Sequence, residues 1–82
     1  MKKYFLSFVE EMVLNPNYQG YVGGRIEVYV ENQEYAVEEI RFFTKKIKEF
    51  DKFREKWDFQ EVSASDLEEI KKIIQEKFNE KL

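Results

Sequence analysis

Glu34-Tyr35-Ala36-Val37-Glu38-Glu39-Ile40-Arg41-Phe42-Phe43-Thr44-Lys45-Lys46-Ile47-Lys48-Glu49-Phe50-Asp51-Lys52-Phe53-Arg54-Glu55-Lys56-Trp57 is the stretch whose reading decides the fold. Ala36, Ile40, Phe43, Ile47, Phe50, Phe53 and Trp57 recur at spacings of 4, 3, 4, 3, 3 and 4, with no Gly or Pro between them. That spacing is the signature of one amphipathic helix. A helix from Glu34 to Lys56 would extend ~34 Å, long for so small a chain. The competing reading places a third strand over Tyr35 to Phe43 and a shorter helix after it. The expectation is therefore an α+β chain of order ββαα, with βββαα as the alternative.

N-terminal to this stretch, Arg25 to Val30 alternates: Ile26, Val28 and Val30 face inward, while Arg25, Glu27, Tyr29 and Glu31 face outward. Period-2 alternation marks a half-buried strand. Lys3 to about Leu14 reads as another strand, apolar on both faces: Tyr4, Leu6 and Phe8 on one, Phe5 and Val9 on the other. Such a strand is covered on both sides or sits centrally in a sheet. Glu10-Glu11 marks a bulge or the solvent edge. Between the two strands, Asn15 to Gly24 collects the one proline, two asparagines and all 3 glycines, so it is the principal turn, its C-terminal half already entering the strand. The two strands form an N-terminal antiparallel hairpin.

C-terminal to it, Asp58 to Val62 is a short strand or loop. Ser65-Asp66-Leu67-Glu68 matches a capping box. Leu67, Ile70, Ile73, Ile74 and Phe78 form the apolar stripe of a final helix, with Lys77 and Lys81 near its end, as the helix dipole favours.

The 82 residues are enough for one domain, residues 1–82, and 43% apolar content with 14 aromatics is enough for a packed core. No cysteine is present, which excludes disulfides and thiolate metal sites and points to a cytoplasmic setting. The apolar run near the N-terminus stops at Glu10-Glu11, short of a signal-peptide core, and no stretch is apolar enough to span a membrane.

Histidine is also absent, removing the commonest neutral-pH base and metal ligand. Glu10-Glu11, Glu38-Glu39 and Glu68-Glu69 are adjacent pairs that do not converge, and no calcium-loop pattern occurs. No cofactor and no metal are expected, and the chain reads as a non-enzyme. Gly20, Gly23 and Gly24 fit neither nucleotide-binding glycine pattern. Lys45, Lys48 and Lys52 share a helix face beside Glu49 and Asp51, a solvated face more than a nucleic-acid surface at pI ≈ 5.1. Residues 41–56 nonetheless concentrate the positive charge, seven basic against three acidic, within a chain of net charge −3.

Tyr18 and Tyr21, set among Asn, Gln and Gly, have the composition of a binding loop; the alternative is that they fold back over a thin core. Arg25, Glu27, Tyr29 and Glu31 add a largely acidic strand face, and with Glu34, Glu38 and Glu39 following closely it suits a basic, nucleic-acid-binding groove on another protein. Tyr18, Tyr21, Arg25, Glu27, Tyr29 and Glu31 are the candidate partner-binding residues, and a larger protein is the expected partner. In size, acidic surface, aromatic content and lack of catalytic residues the chain resembles small accessory proteins of phages and mobile elements, including inhibitors of the anti-CRISPR type. That resemblance covers the character of the whole chain and assigns no residue; it implies a regulator or inhibitor of a host defence or nucleic-acid-processing enzyme. The competing classes are a small-ligand or nucleotide module at a dimer interface, and a self-associating domain whose Phe50, Phe53 and Trp57 are buried in a homodimer.

Overall fold

Glu38–Thr44 is a strand, β3, and the long helix of the first reading does not form. Its residues alternate: Ile40, Phe42 and Thr44 turn inward, while Glu39, Arg41 and Phe43 turn to the other side of the sheet. Adjacent phenylalanines let one sequence satisfy either period, and the cluster Ile-Arg-Phe-Phe-Thr is β-branched and aromatic, which favours the pleated backbone. The helix that follows, α1 (Ile47–Trp57), begins with no side-chain cap, so the sequence carries no start signal there. Thr44 substitutes for one: its Oγ1 accepts the Lys46 N–H at 3.0 Å.

The computed structural model describes residues 2–80. The remaining elements are β1 (Lys3–Glu11), β2 (Val22–Val30), β4 (Glu61–Ser63) and α2 (Ala64–Lys77). The sheet has order β3-β2-β1-β4 and is antiparallel throughout. The expected hairpin of β1 and β2 is present, and β1 lies inside the sheet, consistent with its two apolar faces. Glu10 and Glu11 pair with Gly24 and Gly23 in regular register, without a bulge. The N-cap of α2 is Ser63, two residues before the Ser65 of the expected capping box. Ser63 ends β4 in extended conformation, and its hydroxyl accepts the Asp66 N–H at 3.1 Å, so strand passes into helix without a loop. Lys81 lies outside the described residues.

Both helices cover one face of the sheet. Leu6, Phe8, Ile26, Val28, Phe42 and Val62 meet Phe50, Leu67, Ile70, Ile74 and Phe78 there, all buried. Phe50 is the centre: it stacks on Phe42 at 4.4 Å, meets Phe78 edge-on at 5.3 Å and touches Phe8 at 6.0 Å. Phe53 and Trp57 pack half-buried against the same core.

Two stretches at the margins of the sheet find partners outside the strand ladder. Beyond β4, the Phe8 N–H donates to Asp58 Oδ1 at 2.9 Å and the Phe8 carbonyl accepts from Arg54 at 3.4 Å, while Arg54 also bonds Asp58 and Glu10. A side-chain pair thus replaces a strand residue. On β3, the Phe43 N–H donates to the Phe78 carbonyl and its own carbonyl accepts the Glu80 N–H, so residues after α2 pair with the edge in parallel.

Two substitutions test this packing. Phe50→Ala removes the central ring and should cost about 3–5 kcal/mol in urea unfolding. Gly24→Ala should cost on the order of 3 kcal/mol, because a Cβ there would run into the Val9 carbonyl oxygen and lie 2.9 Å from the Phe42 ring.

Candidate functional site: the uncovered sheet face

The second face of the sheet carries no helix. Odd-numbered residues of β1 and β3 and the outward residues of β2 form it, so register fixes what meets. Arg25 lies opposite Val9 and Arg41, Glu27 opposite Ser7 and Glu39, and Tyr29 opposite Phe5. Arg25 is the hub. Its guanidinium contacts Glu11 at 3.0 Å, Glu27 at 3.2 Å and Glu39 at 3.8 Å, and Glu11 also reaches Arg41 at 3.5 Å. Tyr29 donates its hydroxyl to Glu27 at 2.8 Å.

These contacts set the protonation behaviour. Hydrogen bonds to Glu11, then to Glu27, raise the Arg25 pKa above its ordinary value. The Tyr29 hydroxyl, helped by Arg25 and opposed by partial desolvation, holds the Glu27 carboxyl below its ordinary 4.5. The same bond and the desolvation push the Tyr29 phenol above 10.0. All three shifts favour the arrangement seen: a carboxylate kept charged, a phenol kept as donor, a cation saturated by acceptors.

The structure therefore brings Arg25, Glu27 and Tyr29 together, as expected, sets Glu39 of the expected acidic surface beside them, and adds Glu11 and Arg41, which the sequence does not place on this face. The missing signal was register, which depends on β3 being a strand. Glu31 follows β2 in a turn closed by the Gln33 N–H to the Val30 carbonyl, exposed. Tyr18 and Tyr21 lie at the opposite end of β2, ~30 Å from Glu31 at the rise of a strand. A partner touching all six would have to span the length of a molecule measuring 43 × 22 × 20 Å.

At that far end, Asn15 Oδ1 accepts the Asn17 N–H, Pro16–Tyr18 makes a single 3-10 turn, and Gly20 turns the chain with positive φ into β2. Tyr18 and Tyr21 are half-buried, edge-on to each other at 5.6 Å, and both pack on Phe43, at 5.5 and 4.8 Å. They cover the sheet while keeping an exposed edge. Beside them an open groove of ≈ 770 Å³ runs between this loop, β3 and the segment after α2, with Val13, Tyr18 and Phe43 among its lining. Met12 and Leu14, 83% and 80% exposed, stand at its rim. Gly23 and Gly24 are buried within β2, so the glycines do not form a phosphate cradle.

Among the described residues there is no group of carboxylates placed to hold a metal, and no buried side-chain polar atom lacks a partner. No helix is long and apolar enough to cross a membrane. Lys45, Lys46, Lys48, Lys52 and Lys56 flank or lie on α1, in the helical layer, apart from the acidic face.

The pH dependence follows from the directions above. Glu27 stabilises the fold above its unfolded value near 4.5 and loses that contribution as pH falls through its lower folded value; Tyr29 contributes below 10.0 and loses it as pH rises through its raised folded value. In Tyr29→Phe the Glu27 carboxyl should therefore titrate at higher pH, and acid unfolding should begin at higher pH. Carboxyl-carbon NMR and a circular-dichroism pH series read the two effects.

Compared with family models, with curated proteins and with solved structures, the chain returns no match.

Proposed function

We propose that this chain is a non-enzymatic protein-binding regulator or inhibitor that docks on a larger, basic partner through its uncovered sheet face. The observation that carries this reading is the carboxylate array around Arg25. Glu11 and Glu27 hydrogen-bond one guanidinium at 3.0 and 3.2 Å, and Glu39 lies 3.8 Å from it. Side chains fixed before binding lose little conformational freedom on docking, so preorganised charge is worth more at an interface than mobile charge. With Glu31 and Glu61, acids on this face outnumber Lys3, Arg25 and Arg41. A groove that normally holds nucleic acid presents the complementary charge, which makes a nucleic-acid-processing or host-defence enzyme the partner of choice. Tyr18, Tyr21 and the exposed Met12 and Leu14 supply apolar contact at one end.

A second reading treats the ≈ 770 Å³ groove as a small-ligand site, since its volume falls in the range typical of such sites. Its glycines are committed to the sheet, which leaves a nucleotide phosphate without the cradle of backbone N–H groups that the loop would have offered.

The decisive experiment captures partners from nuclease-treated lysate with wild-type protein and with the pair Glu27→Lys and Glu39→Lys. The expected result is a stoichiometric protein partner, released by salt and lost at least tenfold from the variant, whose circular dichroism remains that of the wild type. Equal capture by both proteins would remove the sheet face from the account.

A further inference from the structure

Three four-residue turns place a positive φ at their third residue. Gly20 (φ 84) holds that position in Tyr18–Tyr21, Asn32 (φ 68) in Val30–Gln33, and Phe59 (φ 58) in Trp57–Gln60; each turn is closed by the N–H of its fourth residue donating to the carbonyl of its first. Asp58 has φ −64 and ψ 133, which makes the last a type II turn, where the third position selects Gly or Asn. Glycine and asparagine fill the first two as conformation requires. Phenylalanine is the wrong residue for the third: a bulky side chain at positive φ is a rare and strained choice.

The Phe59 side chain does not offset that strain by burial. It is 65% exposed, and its one aromatic neighbour is Phe5, itself 39% exposed, with ring centroids 6.3 Å apart. Both rings lie on the uncovered face, where Phe5 stands opposite Tyr29 on one side and Glu61 on the other. Strain retained for an exposed ring indicates a role outside the fold.

The geometry points to Phe59, Phe5 and Tyr29 as the anchor for a basic side chain, arginine or lysine, of the protein partner. Aromatic faces attract cations, and a guanidinium stacks on them while hydrogen-bonding nearby carboxylates. Glu27, Glu31 and Glu61 supply those carboxylates, against two cations, Arg25 at 3.2 Å from Glu27 and Lys3 at 3.9 Å from Glu61. The anchor lies near the end of the sheet remote from Tyr18 and Tyr21, so it is a contact separate from the tyrosine loop. The inference rests on the uncovered face being a protein-docking surface and names the chemistry it accepts.

The test uses a blocked peptide of alternating arginine and alanine, titrated into isotope-labelled protein and followed by amide NMR shifts, with a glutamate-alanine peptide as control. Expected are saturable shifts at Phe5, Tyr29 and Phe59 with the arginine peptide alone. Phe59→Gly should melt at or above the wild-type temperature while weakening that binding roughly tenfold. A lower melting temperature in Phe59→Gly would make Phe59 a packing residue and overturn the inference, as would unchanged affinity or shifts centred on the helical layer. Binding that persists on the sheet face in Phe59→Gly would overturn the anchor alone and leave the docking face standing; peptide binding lost in Phe59→Gly beside partner capture indifferent to Glu27→Lys and Glu39→Lys would instead sink the face.

Discussion

Gly24 and the ring stack beneath it hold the two layers of this protein together. Where β1 and β2 pair at Glu10 and Gly24, the absence of a Cβ leaves room for the Phe42 ring, and Phe42 in turn carries Phe50 at 4.4 Å. Phe50 then meets Phe78. Phe78 delivers the chain back to the edge of β3, where its carbonyl accepts the Phe43 N–H at 2.7 Å. A single position without a side chain thus sets the height of α1 over the sheet and the point at which the chain returns to it. Core rings packed at crystal-like density transmit such a constraint, since none can shift without opening a void.

Exposed strand edges invite pairing with other chains, and this fold closes one stretch at each margin of the sheet by unlike means. The β3 edge takes residues of the same chain. The β1 edge beyond the three-residue β4 takes Asp58 and Arg54, whose charges also discourage an incoming strand.

Much of this was legible in the residues. Strict alternation from Arg25 to Val30 placed β2 and its outward set, the double apolar face of β1 put it inside a sheet, and Leu67 to Phe78 announced α2. The stretch from Glu34 to Thr44 misled, because Ala36, Ile40 and Phe43 fall at helical spacing by coincidence while Ile40 and Phe43 lie on opposite faces of the sheet. Non-local pairing with β2 decided the matter, and no local propensity encodes a partner strand. The same dependence hid the position of Glu39 and Arg41 beside Arg25, which exists through register alone. Phe59 was hidden for another reason: its left-handed backbone follows from how α1 turns into β4, and phenylalanine is the residue that least announces a turn.

Charge in this protein is balanced locally more than it is separated between layers. The basic residues from Lys45 to Lys56 stand beside Glu49, Asp51 and Glu55, α2 sets Asp66, Glu68, Glu69 and Glu76 against Lys71, Lys72 and Lys77, and the carboxylates of the sheet face gather around Arg25 and Arg41. Fields of such mixed clusters fade within a Debye length of about 8 Å at physiological ionic strength. A body approaching from farther away meets little more than the net charge of −3, and the pattern around Arg25 is legible only at contact.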